Sequence, residues 1–343
     1  MNTVDVAVVG IGVMGAAAAR SLARAGRDVV MLERFRIGHD RGSSHGPARI
    51  FRLSYHDRTY VEMARESYEL WRALEEESGQ PLLETTGGLD VADAQVLEAH
   101  VAALTSCGVP VEKLSAEAVA ERFHAVAIPA GESTLFQADS GVLNAERAWR
   151  ALAEGAVASG AVLREEEPVE SIAEIGGMAE VRTGGETFRA RVAIVTAGAW
   201  TRGLLEGAGI ELPTKPTRET VAYFELGDRV PVMVEWRDPA LYALQSGTRL
   251  KAAEHHAGPE TDPNNAGAPD ATSVERVSAW VRERFPTADP EPRLTETCIY
   301  TNTEDERFIL ERRGPFVIGS ACSGHGFKFA PLIGERLAAL ASE

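Results

Sequence analysis

Three stretches of this chain carry residues whose types and spacing could do chemistry. The first is Gly10-Ile11-Gly12-Val13-Met14-Gly15, a GxGxxG run with Glu33 about twenty residues beyond it. In that pattern Gly10 permits a tight turn, Gly12 lets a pyrophosphate approach the backbone, and Gly15 lets a helix pack closely on a strand. Free N–H groups at the helix start face the phosphates, and the acid accepts from a ribose hydroxyl. The second stretch runs from Phe35 to Arg52 and is rich in Gly, Ser, His and Arg, with His45, Arg49 and Arg52 at spacings of four and three. The third is Ser323-Gly324-His325-Gly326 ahead of Lys328, where another helix start would offer another place for an anion. Two positive helix ends suit a bulky anionic cofactor. Glu33 would repel a 2′-phosphate, which disfavours NADP and leaves FAD and NAD open.

The elements needed to hold these residues follow from local pattern. Residues 5–9 are a β-branched apolar run, 16–25 are helical, and 27–32 form a second strand ending on Glu33. Strand, glycine turn, helix, strand and acid together predict a Rossmann-type dinucleotide unit. The loop that follows is too long for a mere connector, and long loops inside compact domains carry function. A helical turn beginning near Pro47 would put Arg49 and Arg52 on one face. Residues 59–77 read as an amphipathic helix and 83–91 as a strand, with further helices over 95–106, 116–123 and 145–158. Residues 161–172, 179–183 and 187–196 predict a three-strand meander running out into Ala197-Gly198, a small-residue turn that allows close ligand approach. Strands are then expected over 220–226, 232–236, 241–245 and 250–255, followed by a helix over 274–285. Strands over 298–301, 308–311 and 316–320 and a closing helix over 328–341 complete the pattern. The fold class is mixed α/β (α+β), a Rossmann-type domain beside a sheet-rich one that occupies the chain discontinuously.

With 343 residues, 44% of them hydrophobic, the chain can bury two cores of ordinary size. A net charge of −16 repels nucleic acid and anionic membrane alike, so an anionic ligand must meet a local basic patch. No apolar run reaches bilayer-spanning length, and Met1-Asn2-Thr3-Val4-Asp5 lacks the charged start of a signal peptide, so a cytoplasmic location is expected. Cys107, Cys298 and Cys322 are too few and too scattered for a disulfide framework or a CxxC metal site. His255 and His256 are neighbours in an expected strand and should point to opposite faces, so no metal is expected. No GxSxG sequence supports serine nucleophile chemistry.

Taken in order, four signatures make the chain resemble the monomeric sarcosine oxidase family of flavoenzymes, within the D-amino-acid-oxidase-like superfamily. N-methyltryptophan oxidase, pipecolate oxidase and fructosyl-amino-acid oxidase belong to the same family. The signatures are the GxGxxG run, Gly42-Ser43-Ser44-His45-Gly46 through Arg52, Cys298-Ile299-Tyr300-Thr301, and Ser323-Gly324-His325-Gly326-Phe327-Lys328-Phe329. The likeness covers about residue 4 to residue 340. The chain ends at Glu343, where members of that family normally continue into a tail.

The resemblance implies FAD, attached covalently through a thioether from Cys298 to the flavin 8α-methyl group. It implies an FAD-binding domain of 1–84, 141–212 and 305–343, and a substrate domain of 85–140 and 213–304. Besides Gly10, Gly12, Gly15 and Glu33, the positions implied for the cofactor are Ser43, His45, Arg49, Val169, Ala197 and Gly198. Cys298, Gly324, Gly326 and Lys328 join them from the far end of the chain. Arg52 and Lys328 are implied to bind a substrate carboxylate, with Tyr242, Met233, Tyr300 and Gly324 lining the substrate. Lys251 matches an oxygen-activating lysine, His255 follows it in a substrate-contact position, and His45 and Arg49 lie against the flavin, so these four are the implied catalytic set.

The expected reaction oxidises an N-methyl or related amine on a small carboxylate-bearing substrate, with hydride passing to flavin, hydrolysis of the imine, and O2 reduced to hydrogen peroxide. The amine must react neutral, which burial and neighbouring cations favour. Thioether formation needs a thiolate, so Arg49 or His45 is expected to lower the pKa of Cys298. A monomer is expected. Two rivals stand beside this reading. Lys251 separates it from a dehydrogenase that uses another acceptor. The basic cluster of Arg52, Lys251, His255 and Lys328 speaks against a flavin-binding protein without turnover.

Overall fold

The computed structural model describes residues 2–320 and 322–343; Ala321, within the glycine-dense stretch before the closing helix, and Met1 lie outside the described residues. The strand Asn2–Val9 runs parallel to Val29–Leu32 on one side and to Thr187–Val195 on the other, with Val8 opposite Met31 and Ile194. Val6 to Val9 are buried on both faces, which is why they read as a continuous apolar run and not as an alternation. The helices Val13–Arg24, Ala145–Ala158 and Ala330–Ser342 cover one face, and Leu205, Leu212 and the antiparallel hairpin strands cover the other. In order, that sheet is Val169–Ile175, Met178–Thr183, Thr187–Val195, Asn2–Val9, Val29–Leu32 and Val162–Arg164, with Phe316–Ser320 and Ile309–Arg313 joined to it through Thr187–Val195.

A second sheet is built mainly from the later half of the chain. Its order is Leu294–Asn302, Lys215–Glu225, Arg249–His255, Ala240–Ser246, Val232–Glu235, Gly88–Ala92, Ser133–Gln137 and Glu112–Leu114. Side chains alternate across it. Ala222, Phe224, Ala243, Leu250 and Ala252 pack under the helix Ala271–Arg284 with Val277, Trp280 and Val281, while their neighbours Tyr223, Leu244 and Lys251 share a register row on the opposite face. That helix is pinned by polar contacts as well as apolar ones. Asp270 caps it, Arg276 clasps Glu254 at 2.6 and 2.7 Å, and Trp280 donates to Glu235 at 2.7 Å.

Four expectations need correcting. Residues 48–51 form the strand Ala48–Phe51, paired with Gly141–Asn144 and not a helical turn; Leu83–Thr85 joins them in a third, small sheet. The strand read over 83–91 is two strands in different sheets, turned apart at Thr86 and Gly87, whose N–H groups both donate to Ser140 O. The strand read over 161–172 is also two, Val162–Arg164 and Val169–Ile175. Glu165-Glu166-Glu167-Pro168 interrupts it, with Glu166 at φ 57°. The closing helix begins at Ala330 after a 3-10 turn over Phe327–Phe329, and the short strands Glu112–Leu114 and Ser133–Gln137 carried no pattern strong enough to be read. Among the described residues no helix is long and apolar enough to cross a membrane.

Candidate active site

A cavity of about 680 Å³ is lined by residues of both large sheets. At one end is the glycine turn. Gly10 has φ 85°, and a Cβ there would lie 2.5 Å from Ala197 Cα, so only glycine lets the Thr196–Gly198 turn pass against it. Gly12 caps the helix Val13–Arg24 without a side-chain contact of its own, and Val13 N–H donates to Ser44 Oγ at 3.0 Å. Gly15 stands behind the cavity, its place fixed by contact, since a Cβ would meet Gly10 O at 2.1 Å. Glu33 is buried and accepts from Ile11 N–H at 2.7 Å and Phe35 N–H at 3.0 Å. Gly10, Gly12, Glu33, Ser43, Val169, Ala197 and Gly198 all line this end.

The second sheet supplies the middle. Tyr242, Lys251, Cys298 and Tyr300 reach the cavity by strand alternation. Lys251 is 4% exposed, with Nζ 3.4 Å from Ala48 O and 5.8 Å from the Tyr223 ring centre. Burial, and then the Arg49 guanidinium, push its pKa down to about 7. Arg49 is held by three carbonyls, donating to Ser43 O, His45 O and Ala48 O at 2.9, 2.5 and 2.9 Å. The Tyr223 hydroxyl donates to Glu296. Sequence reasoning missed Tyr223 and Glu296, although each stands two residues from a cavity-lining position, Val221 and Cys298.

At the far end Arg52 and Lys328 meet around Tyr55, also missed, three residues after Arg52. The Arg52 guanidinium lies 3.9 Å from the Tyr55 ring centre and 4.9 Å from that of Trp236, and donates to Ser54 O. Trp236 is held by its own hydrogen bond to Asp90 at 2.8 Å. Lys328 is 4% exposed and donates to Tyr55 Oη at 3.0 Å and His325 O at 2.7 Å. Burial, then Arg52, hold its pKa well below the usual lysine range. An anion entering between these cations would reverse that depression, because it favours the charged form. Gly324, at φ 68°, leaves the space that this end needs: a Cβ there would lie 2.3 Å from the Tyr300 ring and 2.5 Å from that of His255. Burial pushes the Tyr242 hydroxyl up to about 12, and burial followed by His256 keeps His255 neutral. Gly326 and His255 also line the cavity.

Four of the expected site features differ. Met233 is fully buried in the apolar core under the helix Ala271–Arg284, because strand alternation turns Val234 and not Met233 to the cavity. His45 is half-buried beside Arg49, and burial followed by that guanidinium pushes its pKa down to about 4, so it brings no positive charge to Cys298 at neutral pH. The Cys298 thiol is pushed up, not down: burial outweighs the pull of Arg49 and Lys251. His255 and His256 do not point to opposite faces. The strand ends at His255, His256 has φ 59°, and the two rings lie 4.1 Å apart.

Residues 5–340 match the family model for FAD-dependent oxidoreductases, DAO. The chain is 35% identical to human peroxisomal sarcosine oxidase over 97% of this chain and 90% of that protein. It is 32% identical to the monomeric sarcosine oxidase of Arthrobacter sp. (strain TE1826), over 98% and 92%. Among solved structures it superposes on the open form of NikD, an unusual amino acid oxidase essential for nikkomycin biosynthesis, with a TM-score of 0.91 and 28% identity, covering 100% of this chain and 95% of that one.

Proposed function

The chain belongs to the family of FAD-dependent oxidoreductases, and from that premise we propose that it is an oxidase of N-methyl or closely related amino acids, working as a monomer with O2 as electron acceptor. The observation that carries this reading is the pairing of two cations, the half-buried Arg52 and the buried Lys328, around Tyr55 in a cavity continuous with the glycine turn. The local residues fit FAD. Gly12 brings no side chain to its helix start, where a Cβ would already lie 3.1 Å from Ser44 Oγ, and Glu33 stands where a ribose hydroxyl can donate. In this reading Gly10, Gly12, Glu33, Ser43, Val169, Ala197 and Gly198 hold the cofactor's ADP half, and Arg49, Gly324, Gly326 and Lys328 stand along its flavin end.

FAD, when bound, supplies the electron acceptor that turns the substrate C–N bond into C=N and passes the electrons on to O2, giving hydrogen peroxide. The protein's share is electrostatic. Arg52 clasps the substrate carboxylate and Lys328 adds a second positive charge. Tyr242, Tyr300, His255 and Gly324 shape the space around the amine. His255 stays neutral, so it adds no positive charge against the amine. Lys251, as an ammonium, stabilises negative charge developing on oxygen in a water-poor site. Membership of the two large sheets supports the division into 1–84, 141–212 and 305–343 against 85–140 and 213–304.

An amine panel with peroxide readout, run on the purified yellow protein, tests the activity: peroxide from N-methyl amino acids is expected, and none from any carboxylate-bearing amine would overturn it. Covalent attachment through Cys298 belongs to the same proposal. The wall of the cavity supports it, although the raised thiol pKa means that Arg49 and Lys251 must act against burial for the thiolate to form. Acid precipitation should leave flavin on the wild type and release it from Cys298→Ser, with Cys107→Ser and Cys322→Ser unaffected. A white wild-type precipitate would remove the thioether and leave the oxidase reading standing.

A further inference from the structure

We propose that a zinc-type divalent cation binds at the rim of the cavity, held by His255, His256 and Glu306. One ligand atom from each of the three lies within 4.8 Å of the others, and His256 Nδ1 is 3.4 Å from Glu306 Oε1. In a tetrahedral site with bonds of about 2.0–2.1 Å, neighbouring ligand atoms stand about 3.3 Å apart. The His256–Glu306 edge already has that length. The His255–Glu306 edge closes by rotation of the solvent-exposed Glu306, and the His255–His256 edge by a turn of the His256 ring.

Two further observations point to a ligand. The first is orientation. His256 Nε2 lies 3.0 Å from Ser323 O, and because a carbonyl only accepts, Nε2 carries the proton. That leaves Nδ1 as the nitrogen facing Glu306, the arrangement in which metal-binding histidines are held by a backbone carbonyl behind them. His255 is steadied in a similar way by Tyr300, whose hydroxyl lies 3.4 Å from Nδ1. The second is backbone strain. Among the described residues four non-glycine residues have positive φ, and His256 at 59°, Glu306 at 59° and Ser323 at 40° all meet here. Such conformations persist where surrounding structure enforces them, often at functional sites. Here they make the cluster: a strand continued through His256 would send the two imidazoles to opposite faces.

Two imidazoles and one carboxylate suit zinc and its transition-metal neighbours, whereas magnesium and calcium call for oxygen donors throughout. Three protein ligands leave a fourth position open. Arg52 and Lys328 stand near His255 and oppose a cation, so the site is weaker than the same ligands would make in isolation. Because His255 is also a wall of the cavity, a bound metal fixes it at the rim and slows turnover. That last clause rests on the proposed function; the binding does not.

The test is calorimetric titration of zinc chloride into the dialysed full-length FAD-loaded protein, without substrate, for wild type, His256→Asn, Glu306→Gln and the surface control His124→Ala. Asparagine tolerates positive φ, so the turn at His256 survives the substitution. The expected result is one zinc per chain in the wild type and in His124→Ala, with affinity down about tenfold or more in each of the other two. Turnover in metal-free buffer should be unchanged in Glu306→Gln, and zinc inhibition there should weaken in parallel with binding. The proposal is overturned if the wild type takes up no stoichiometric zinc, or if His256→Asn and Glu306→Gln bind it as tightly as the wild type. Because binding is read without substrate, either result leaves the oxidase reading untouched.

Discussion

The helix side of the second sheet and the cavity side both bury cations, and they treat them in opposite ways. On the helix side Arg284, 2% exposed, donates to Glu235 at 2.7 and 3.1 Å and to Glu132 at 3.0 and 3.1 Å. Burial alone would lower its pKa, but these carboxylates more than offset it and the net shift is upward. On the cavity side Lys251 and Lys328 are nearly as buried, yet among the described residues neither forms an ion pair, and both pKa values fall. Their partners are carbonyls and a phenol. A buried charge with its counter-ion beside it is part of the scaffold; one held without a counter-ion costs stability and fits a site that receives an anion.

The comparison can be broken most severely on the helix side. Glu235→Ala leaves Arg284 and Trp280 without their main acceptor and should lower unfolding stability by about 3–5 kcal/mol, read by urea denaturation. Lys328→Met, by contrast, removes a buried charge that has no counter-ion, and should leave stability unchanged or raise it while activity falls. Equal destabilisation by the two substitutions would erase the distinction.

On the cavity side, Lys251→Met should slow flavin reoxidation by about 10²–10³-fold, the scale of removing one charge-stabilising donor, with anaerobic reduction by substrate changed far less. Stopped-flow traces with the reverse pattern would remove Lys251 from the oxygen step.

Smallest is the effect of pH. With a pKa of about 7, Lys251 loses its proton as pH rises, so reoxidation should fall about tenfold between pH 6 and 8. The stability of the protein should move the other way. The folded lysine sits at about 7 against an ordinary value of 10.5, so between those limits the unfolded chain binds more protons, and this residue's contribution to stability rises with pH. A melting temperature that falls across that window in the wild type but not in Lys251→Met would contradict the assignment.

What the sequence made legible was what depends on near neighbours. The glycine turn, its helix and Glu33 lie within thirty-three residues, and local spacing specifies them. Strand alternation likewise brings Lys251, Tyr242 and Tyr300 to one side. Ala48–Phe51 was hidden because its partner Gly141–Asn144 is far along the chain, and a proline and two arginines three apart suit a helix equally well. The proximity of His255 and His256 depends on one left-handed residue that no periodicity announces. The raised Cys298 thiol depends on burial outweighing two cations, a balance set by tertiary packing and not by the flanking residues.

Arg52 and Lys328 form no ion pair among the described residues, and an anaerobic stopped-flow comparison shows whether a substrate carboxylate is what they receive. An N-methyl amino acid and the same amine lacking its carboxylate are mixed separately with wild type and with Arg52→Ala, and flavin bleaching is followed. The wild type should favour the acid by about 30- to 100-fold in kred/Kd, the scale of a desolvated charge contact, and Arg52→Ala should lose most of that preference. Equal reduction of the wild-type flavin by both amines would contradict the account.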